Sequence, residues 1–325
     1  MKIGVRFLAC YPPERLPTFA REVEELGFNQ LWLVEDCFAT GGVATAATAL
    51  AATGHIEIGI GIFPAVLRNV VLLSMEIATL ARLYSGRVLP GIGHGVNAWM
   101  KQVGAAPKSA MRALEESFTA LRLLLHGEKV TVQGSHVNVD GGRLAFPPDR
   151  QLPLYTAGRG PKTLALAGRL ADGVILGDFS SPAYTNWARC MVLDSAKLND
   201  RCPESEITVY AYFDFDERRL FARRATAERL LAGAPIRAAD TELQARLTIV
   251  AQSLSTANAL GPTIPGSFIN SVTVSGNAAS CSDAIAALAN AGAESVVLVP
   301  HPEIDVALEH LRRAAVQIVP ELQRL

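Results

Sequence analysis

The chain lacks almost everything that would tie it to a polyanion, a membrane or a disulfide framework. Thirty basic side chains against 31 acidic ones leave a formal charge of −1, so no net field draws nucleic acid or an anionic bilayer toward it. No apolar run reaches the roughly 20 residues a membrane-spanning helix needs. The apolar patch in the opening MKIGVRFLAC is too short for a secretion signal. The five cysteines, Cys10, Cys37, Cys190, Cys202 and Cys281, are odd in number, widely spaced and without a CxxC pair, which argues against a disulfide scaffold and against a zinc site. Low-complexity tracts, short repeats and linkers are missing too. These absences lead us to expect a cytoplasmic protein with one domain over residues 1–325, a small-molecule substrate, no bound metal, and no nucleic-acid or membrane partner.

What is present is apolar and regularly spaced. Half of the 325 residues are hydrophobic, enough for one large core. The apolar runs IGVRFL, LWLV, IEIGIGIF and VLPGIG alternate with segments of 3.6-residue periodicity at 16–26, 43–52 and 70–83. Short apolar strands alternating with amphipathic helices signal repeated βα units and a parallel sheet. After a helix at 109–125, KVTVQGSHVNVDGGRLAF switches to period two with Gly141-Gly142 as a turn signal, which predicts a surface β-hairpin insertion near 128–147. The alternation then resumes through LPLYTAG, DGVILG, ITVYAYF, INSVTVSG and VVLVP. Helices are expected near 161–170, 182–198, 217–231, 241–260 and 282–291, with a closing helix to 325. The strands suffice for an α/β fold of the (β/α)8 TIM-barrel type.

In such barrels the functional groups sit just beyond the C-terminal ends of the strands. Four of these junctions carry chemistry. After LWLV come Glu35 and Asp36; adjacent carboxylates at a barrel mouth can exchange protons, and crowding raises the pKa of one of them. The alternatives are that Glu35 caps the next helix or pairs with an arginine. Cys37 reads as a small buried residue. In IGIGIFPAVLRN, Gly59 and Gly61 interrupt a β-branched strand, marking a bulge or the close approach of a flat ligand; Arg68 beyond them binds an anion or makes a surface ion pair. In LPGIGHGVNAWM, Gly91, Gly93 and Gly95 surround His94, which can donate a hydrogen bond or a proton to a ring lying on the backbone, or simply bond a loop carbonyl. His55, His126, His136 and His301 read as surface residues. In TAGRGPKTLALAGRLADG, the strand ends in Gly158, Arg159, Gly160, Pro161 and Lys162, and a helix begins at once. Amides at a helix N-terminus beside two cations make a phosphate site.

In this order and spacing, these pieces resemble the luciferase-like monooxygenase superfamily. They are similar above all to its branch of coenzyme F420-dependent oxidoreductases that includes methylenetetrahydromethanopterin reductase. The resemblance runs through nearly the whole chain, from GFNQLWLVED and IGIGIFPAVLRN through ATLARLYSGRVLPGIGHG and GRGPKTLALAGRLADGV to AGAESVVLVP. It implies a bacterial-luciferase-like barrel, a homodimer, and a flavin-type ring near Gly61, Ile62 and Gly93 with its phosphate at Gly158 to Lys162. It also implies a non-proline cis peptide at Gly61-Ile62. One position departs from the pattern: where relatives carry a histidine after the strand-two acid, this chain has Asp36, so the proton donor or acceptor is Asp36, Glu35 or His94.

The function expected is hydride transfer between F420 and a small organic substrate. The alternatives are an FMN-dependent monooxygenase, a phosphate-gripping lyase or isomerase without a redox cofactor, and a relative that only dimerises. The substrate pocket is expected from the region after Phe213 and from 259–269, whose Gly-Pro and Pro-Gly pairs suggest a mobile or irregular lid.

Overall fold

The computed structural model describes residues 1–201, 205–232, 236, 244–248, 251 and 256–322. Its eight barrel strands are β1 (Lys2–Arg6), β2 (Gln30–Leu33), β3 (Glu57–Pro64), β4 (Val88–Gly93), β7 (Tyr155–Ala157), β8 (Gly173–Leu176), β9 (Glu206–Asp214) and β11 (Ser295–Val299). They pair in parallel in that order, and β11 returns to β1 to close the cylinder. Every residue of β2, β8 and β11 is buried. That explains why the sequence shows continuous apolar runs and no alternation: one face of each strand fills the barrel and the other lies under a helix.

The helices that shape the mouth of the barrel are α1 (Leu16–Glu25), α2 (Gly42–Ala52), α3 (Val70–Leu83), α4 (Asn97–Gln102), α5 (Ala110–Leu125), α6 (Pro161–Leu170), α7 (Pro182–Lys197) and α8 (Leu220–Leu231). Asn69, Ser109 and Ser181 cap α3, α5 and α7 by accepting a first-turn amide hydrogen. Each such cap is worth about 1 kcal/mol, and these caps set where the periodic segments begin.

The barrel interior is filled by aromatic rings. Trp32 packs edge-on against Tyr155 and Tyr210, with centroids 5.6 and 5.9 Å apart. A Cβ on Gly59 would lie 2.3 Å from the indole of Trp32. The flat ring that Gly59 admits is therefore the protein's own, which corrects the expectation of a ligand there. Below this layer the polar groups satisfy one another. Trp32 Nε1 and Ser295 Oγ both donate to Gln30 Oε1, Gln30 Nε2 donates to Glu57, and Lys2 pairs with Glu57 at 2.8 Å. That end of the barrel serves stability.

Three expectations change in detail. The hairpin exists as β5 (Val130–Gln133) paired antiparallel with β6 (Asn138–Gly142), but its turn is closed by the Gly134 amide on the Val137 carbonyl. Gly141, at φ +60°, instead sits where the pairing register shifts. INSVTVSG is not a barrel strand: helix Gly266–Val272 leads into the two-residue β10 (Val274–Ser275), which pairs only with the end of β9. The segment expected as an irregular lid is a run of short helical turns. Its Leu260, Ile264, Phe268 and Ile269 join Ala222 and Leu230 of α8 in a second apolar core. Residues 241–243, 249–250 and 252–255 of the helix expected at 241–260, the end of the closing helix at 323–325, and Cys202 lie outside the described residues. Cys10, Cys37, Cys190 and Cys281 are free thiols.

Candidate active site

At the C-terminal mouth of the barrel lies a cavity of about 470 Å³, the size of a cofactor or substrate pocket. It receives groups from β1, β2, β3, β7, β8, β9 and the loop after β4. The register of β3 against β4 shifts between Ile60 and Phe63, and the Gly61-Ile62 peptide in that bulge is cis. A Cβ on Gly61 would meet the Tyr210 hydroxyl at 2.1 Å. Only glycine fits over that hydroxyl, and both Gly61 and Ile62 line the cavity.

The two adjacent carboxylates part company. Glu35 Oε2 accepts the amide hydrogen of Gly42 at 2.7 Å, capping α2, and Arg68 Nη1 donates to Oε1. Arg68 continues to Glu76 at 3.2 Å. Both structural roles left open by the sequence for Glu35 therefore occur, and both of its oxygens are engaged. Asp36 faces the cavity, with Oδ2 4.0 Å from Arg6 Nη2. Burial raises the Asp36 pKa, Arg6 pulls it back and Asp178 pushes it up again; the balance is upward. Cys37 is half-buried and lines no part of the cavity.

Across the cavity, His94 Nε2 shares a hydrogen with Thr163 Oγ1 at 3.2 Å. Burial holds the His94 pKa below its ordinary value, and the Ala110 backbone offsets only part of that. Its imidazole is therefore neutral at physiological pH. Gly93 does not reach the cavity. It is buried behind Ile62, whose side chain a Cβ on Gly93 would touch at 3.1 Å.

The expected phosphate loop is split in the same way. Gly158 and Arg159 line the cavity, whereas Gly160 does not, and Pro161 and Lys162 point to solvent. Arg159 Nη2 donates to the Asp178 carbonyl at 3.2 Å, and the Tyr184 hydroxyl donates to the Arg159 carbonyl at 2.7 Å. Helix α6 starts at Pro161 with no side-chain cap and no acidic residue in its first turn. Its leading amides thus remain available to an anion.

Sequence reasoning passed over Arg6, Trp99, Thr163, Asp178 and Tyr210, all of which line the cavity. Arg6 ends β1 and Asp178 follows β8 by two residues, so the strand-end rule that selected Asp36 would have selected both. Tyr210 lies inside β9 and carried no such signal. Among the described residues, seven buried side-chain polar atoms have no hydrogen-bond partner. Four of them, Arg6 Nε, His94 Nδ1, Asp178 Oδ1 and the Tyr210 hydroxyl, belong to residues of this one cavity. Leaving such atoms unpaired costs about 1–3 kcal/mol each. No group of three or more His, Cys, Asp or Glu able to hold a metal ion is found among the described residues.

Comparison with known proteins supplies the lineage. The chain is 30% identical over 240 residues to 5,10-methylenetetrahydromethanopterin reductase of Methanolobus tindarius, covering 72% of this chain and 73% of that one. It superposes on the coenzyme F420-dependent tetrahydromethanopterin reductase from Methanopyrus kandleri with a TM-score of 0.83 at 20% identity, covering 98% and 99% of the two chains. Monooxygenase RslO1 from Streptomyces bottropensis gives a TM-score of 0.74 at 18% identity over 99% and 100%. The sequence profile of the luciferase-like monooxygenases matches residues 1–295. With its closed parallel barrel and strand-three bulge, the chain belongs to the luciferase-like monooxygenase family.

Proposed function

We propose that this protein is an oxidoreductase that transfers a hydride between coenzyme F420, bound in the cavity at the barrel mouth, and a small organic substrate. The observation that carries this reading is the strand-three bulge at Gly61 and Ile62 lining a cavity rich in unpaired buried polar atoms. A flat tricyclic ring needs close backbone approach, and orphaned polar groups need a ligand to pair with them. The F420-dependent relative at 30% identity favours the deazaflavin over FMN.

In this reading Gly61 and Ile62 back the ring, while Gly158, Arg159 and the uncapped start of α6 hold its phosphate. Bound there, the deazaflavin supplies a two-electron hydride donor or acceptor. The protein's own task is to exclude water, orient the substrate and manage the accompanying proton. Asp36 is the group we assign to the proton, because it faces the cavity and burial raises its pKa from the ordinary aspartate value. Glu35 acts behind it as a positioning group. His94, neutral and tied to Thr163, hydrogen-bonds rather than titrates.

The test is the behaviour of the reduced complexes in air. Reduced F420 on the protein should reoxidise slowly without consuming oxygen stoichiometrically; rapid reoxidation of a bound reduced FMN with oxygenated product would make the protein a monooxygenase instead. The split of the phosphate loop gives a second expectation. Arg159→Ala should weaken F420 binding about tenfold, the usual worth of one charge-assisted contact. Lys162→Ala, at an exposed position, should change it less than about twofold. Fluorescence titration of both variants checks this.

The protein is further proposed to act in the cytoplasm, where its free thiols stay reduced, and as a homodimer. Leu72, Met75 and Leu83 of α3 are 48, 52 and 68% exposed and recur at helical spacing along one face. Sedimentation equilibrium should give a dimer that Leu72→Asp with Met75→Asp converts to monomer. A wild-type monomer would remove the dimer from the reading.

A further inference from the structure

Beside Asp36 the cavity holds a charged cluster of three side chains. Arg6, at the end of β1, lies between Asp36 after β2 and Asp178 after β8, with Nη2 4.0 Å from Asp36 Oδ2 and Nη1 3.8 Å from Asp178 Oδ1. Neither distance is a hydrogen bond. The Arg6 side chain is 17% exposed, and those of the two carboxylates 31 and 21%. The guanidinium also sits 5.5 Å over the ring of Tyr210. Two acids thus compete for one buried cation, and neither satisfies it: Arg6 Nε and Asp178 Oδ1 remain without hydrogen-bond partners.

We propose that Asp178 is a positioning residue for the Asp36 carboxyl: by engaging the far side of Arg6 and facing Asp36 with like charge, it leaves Asp36 able to carry and release a proton. The inference rests on Asp36 as the proton-handling group in the proposed function. A single Asp–Arg pair would lock the carboxyl in its ionised form, useless as an acid at neutral pH. Dividing the cation between two acids removes that lock. A deazaflavin held in the cavity would supply or take the hydride, and Asp36 would take up the proton the substrate releases on oxidation and return it on reduction.

The other charged and titratable groups around this cluster do not supply the same effect. Tyr210 and Tyr212 of β9 are buried and pushed up, Tyr212 to about 12, so both stay neutral. Arg229 and Glu228 of α8 act on Tyr212 and oppose each other there. Arg159 donates to the Asp178 backbone carbonyl. Glu35 is engaged by Arg68. Burial is the largest influence raising Asp36 against Arg6, and Asp178 is the charged group that adds to it.

The test uses the cofactor-free protein, so it is independent of whether F420 binds. With carbon-13 at the aspartate side-chain carboxyls, the Asp36 resonance, identified by its loss in Asp36→Asn, is titrated by NMR. In Asp178→Asn its midpoint should fall by about one pH unit, a tenfold stronger acid. Arg6→Gln should move it the opposite way, and Asp178→Glu should restore the wild-type midpoint. An Asp36 midpoint unchanged by Asp178→Asn overturns the inference, whatever Arg6→Gln does. Should Asp178→Asn fail to fold, Asp178→Ser decides by the same criterion. Failure of F420 to bind, measured separately on the wild type, would overturn the proposed function and leave this titration result standing.

Discussion

Asp36→Asn is expected to lower turnover by about a hundredfold or more while leaving F420 affinity within about threefold, since a positioned acid or base contributes factors of that size. Asparagine keeps the shape and polarity of the side chain beside Arg6, so the cavity should persist. What it cannot do is carry a proton. The pH profile should change with it. In the direction of substrate oxidation Asp36 must start ionised, so wild-type turnover rises as pH climbs through its raised midpoint. In substrate reduction it must start protonated, so turnover falls over the same range. Either limb should vanish in Asp36→Asn. If the limb survives there and disappears in His94→Ala, the proton belongs to His94, and the depression of the histidine pKa by burial becomes the relevant tuning.

Glu35→Ala is expected to cost about 3 kcal/mol of stability, read as a lowered denaturation midpoint with an unchanged slope. Glu35 is 7% exposed at its side chain and pairs with Arg68, itself 21% exposed. It also accepts the Gly42 amide. Removing it leaves a mostly buried guanidinium with only Glu76 and strips the first turn of α2 of its acceptor. Replacing Arg68 by methionine in the same background should recover about 1 kcal/mol, because the two changes share a partner. A loss below about 1 kcal/mol in Glu35→Ala would show that the pair is a surface contact in effect and that Asp36 is held in place by β2 alone. This separates two adjacent carboxylates that look interchangeable in the sequence: Glu35 is engaged by Gly42 and Arg68, while Asp36 lies beside Arg6 in the cavity.

The barrel was legible because its signals are local. Helices α3 and α6 begin where Asn69 and Pro161 require, and the apolar runs correspond to strands buried on both faces. INSVTVSG misled because its β-branched residues suit a strand, while Phe268, Ile269 and Val272 meet the second core at helical spacing. Tertiary packing decided against propensity. Gly141-Gly142 drew attention as a turn, although the chain turns at Gly134 to Val137. In the cavity, Glu35, Asp36, His94, Gly158 and Arg159 were found because each follows a strand, Gly61 because glycine interrupts its strand, and Ile62 through the resemblance. Arg6, Asp36 and Asp178 are distant in the chain and meet only because the sheet closes on itself. Lys162 was overestimated for the converse reason. It is three residues from Arg159 in sequence, but its place in the first turn of α6 leaves it exposed.

The most direct measurement is an equilibrium titration of the purified protein with F420 and, separately, with FMN, followed by fluorescence. Saturable binding of F420 at least about tenfold tighter than that of FMN, weakened by Arg159→Ala and untouched by Lys162→Ala, is the expected result. Tight FMN binding without F420 binding, or no saturable binding of either, would contradict the account.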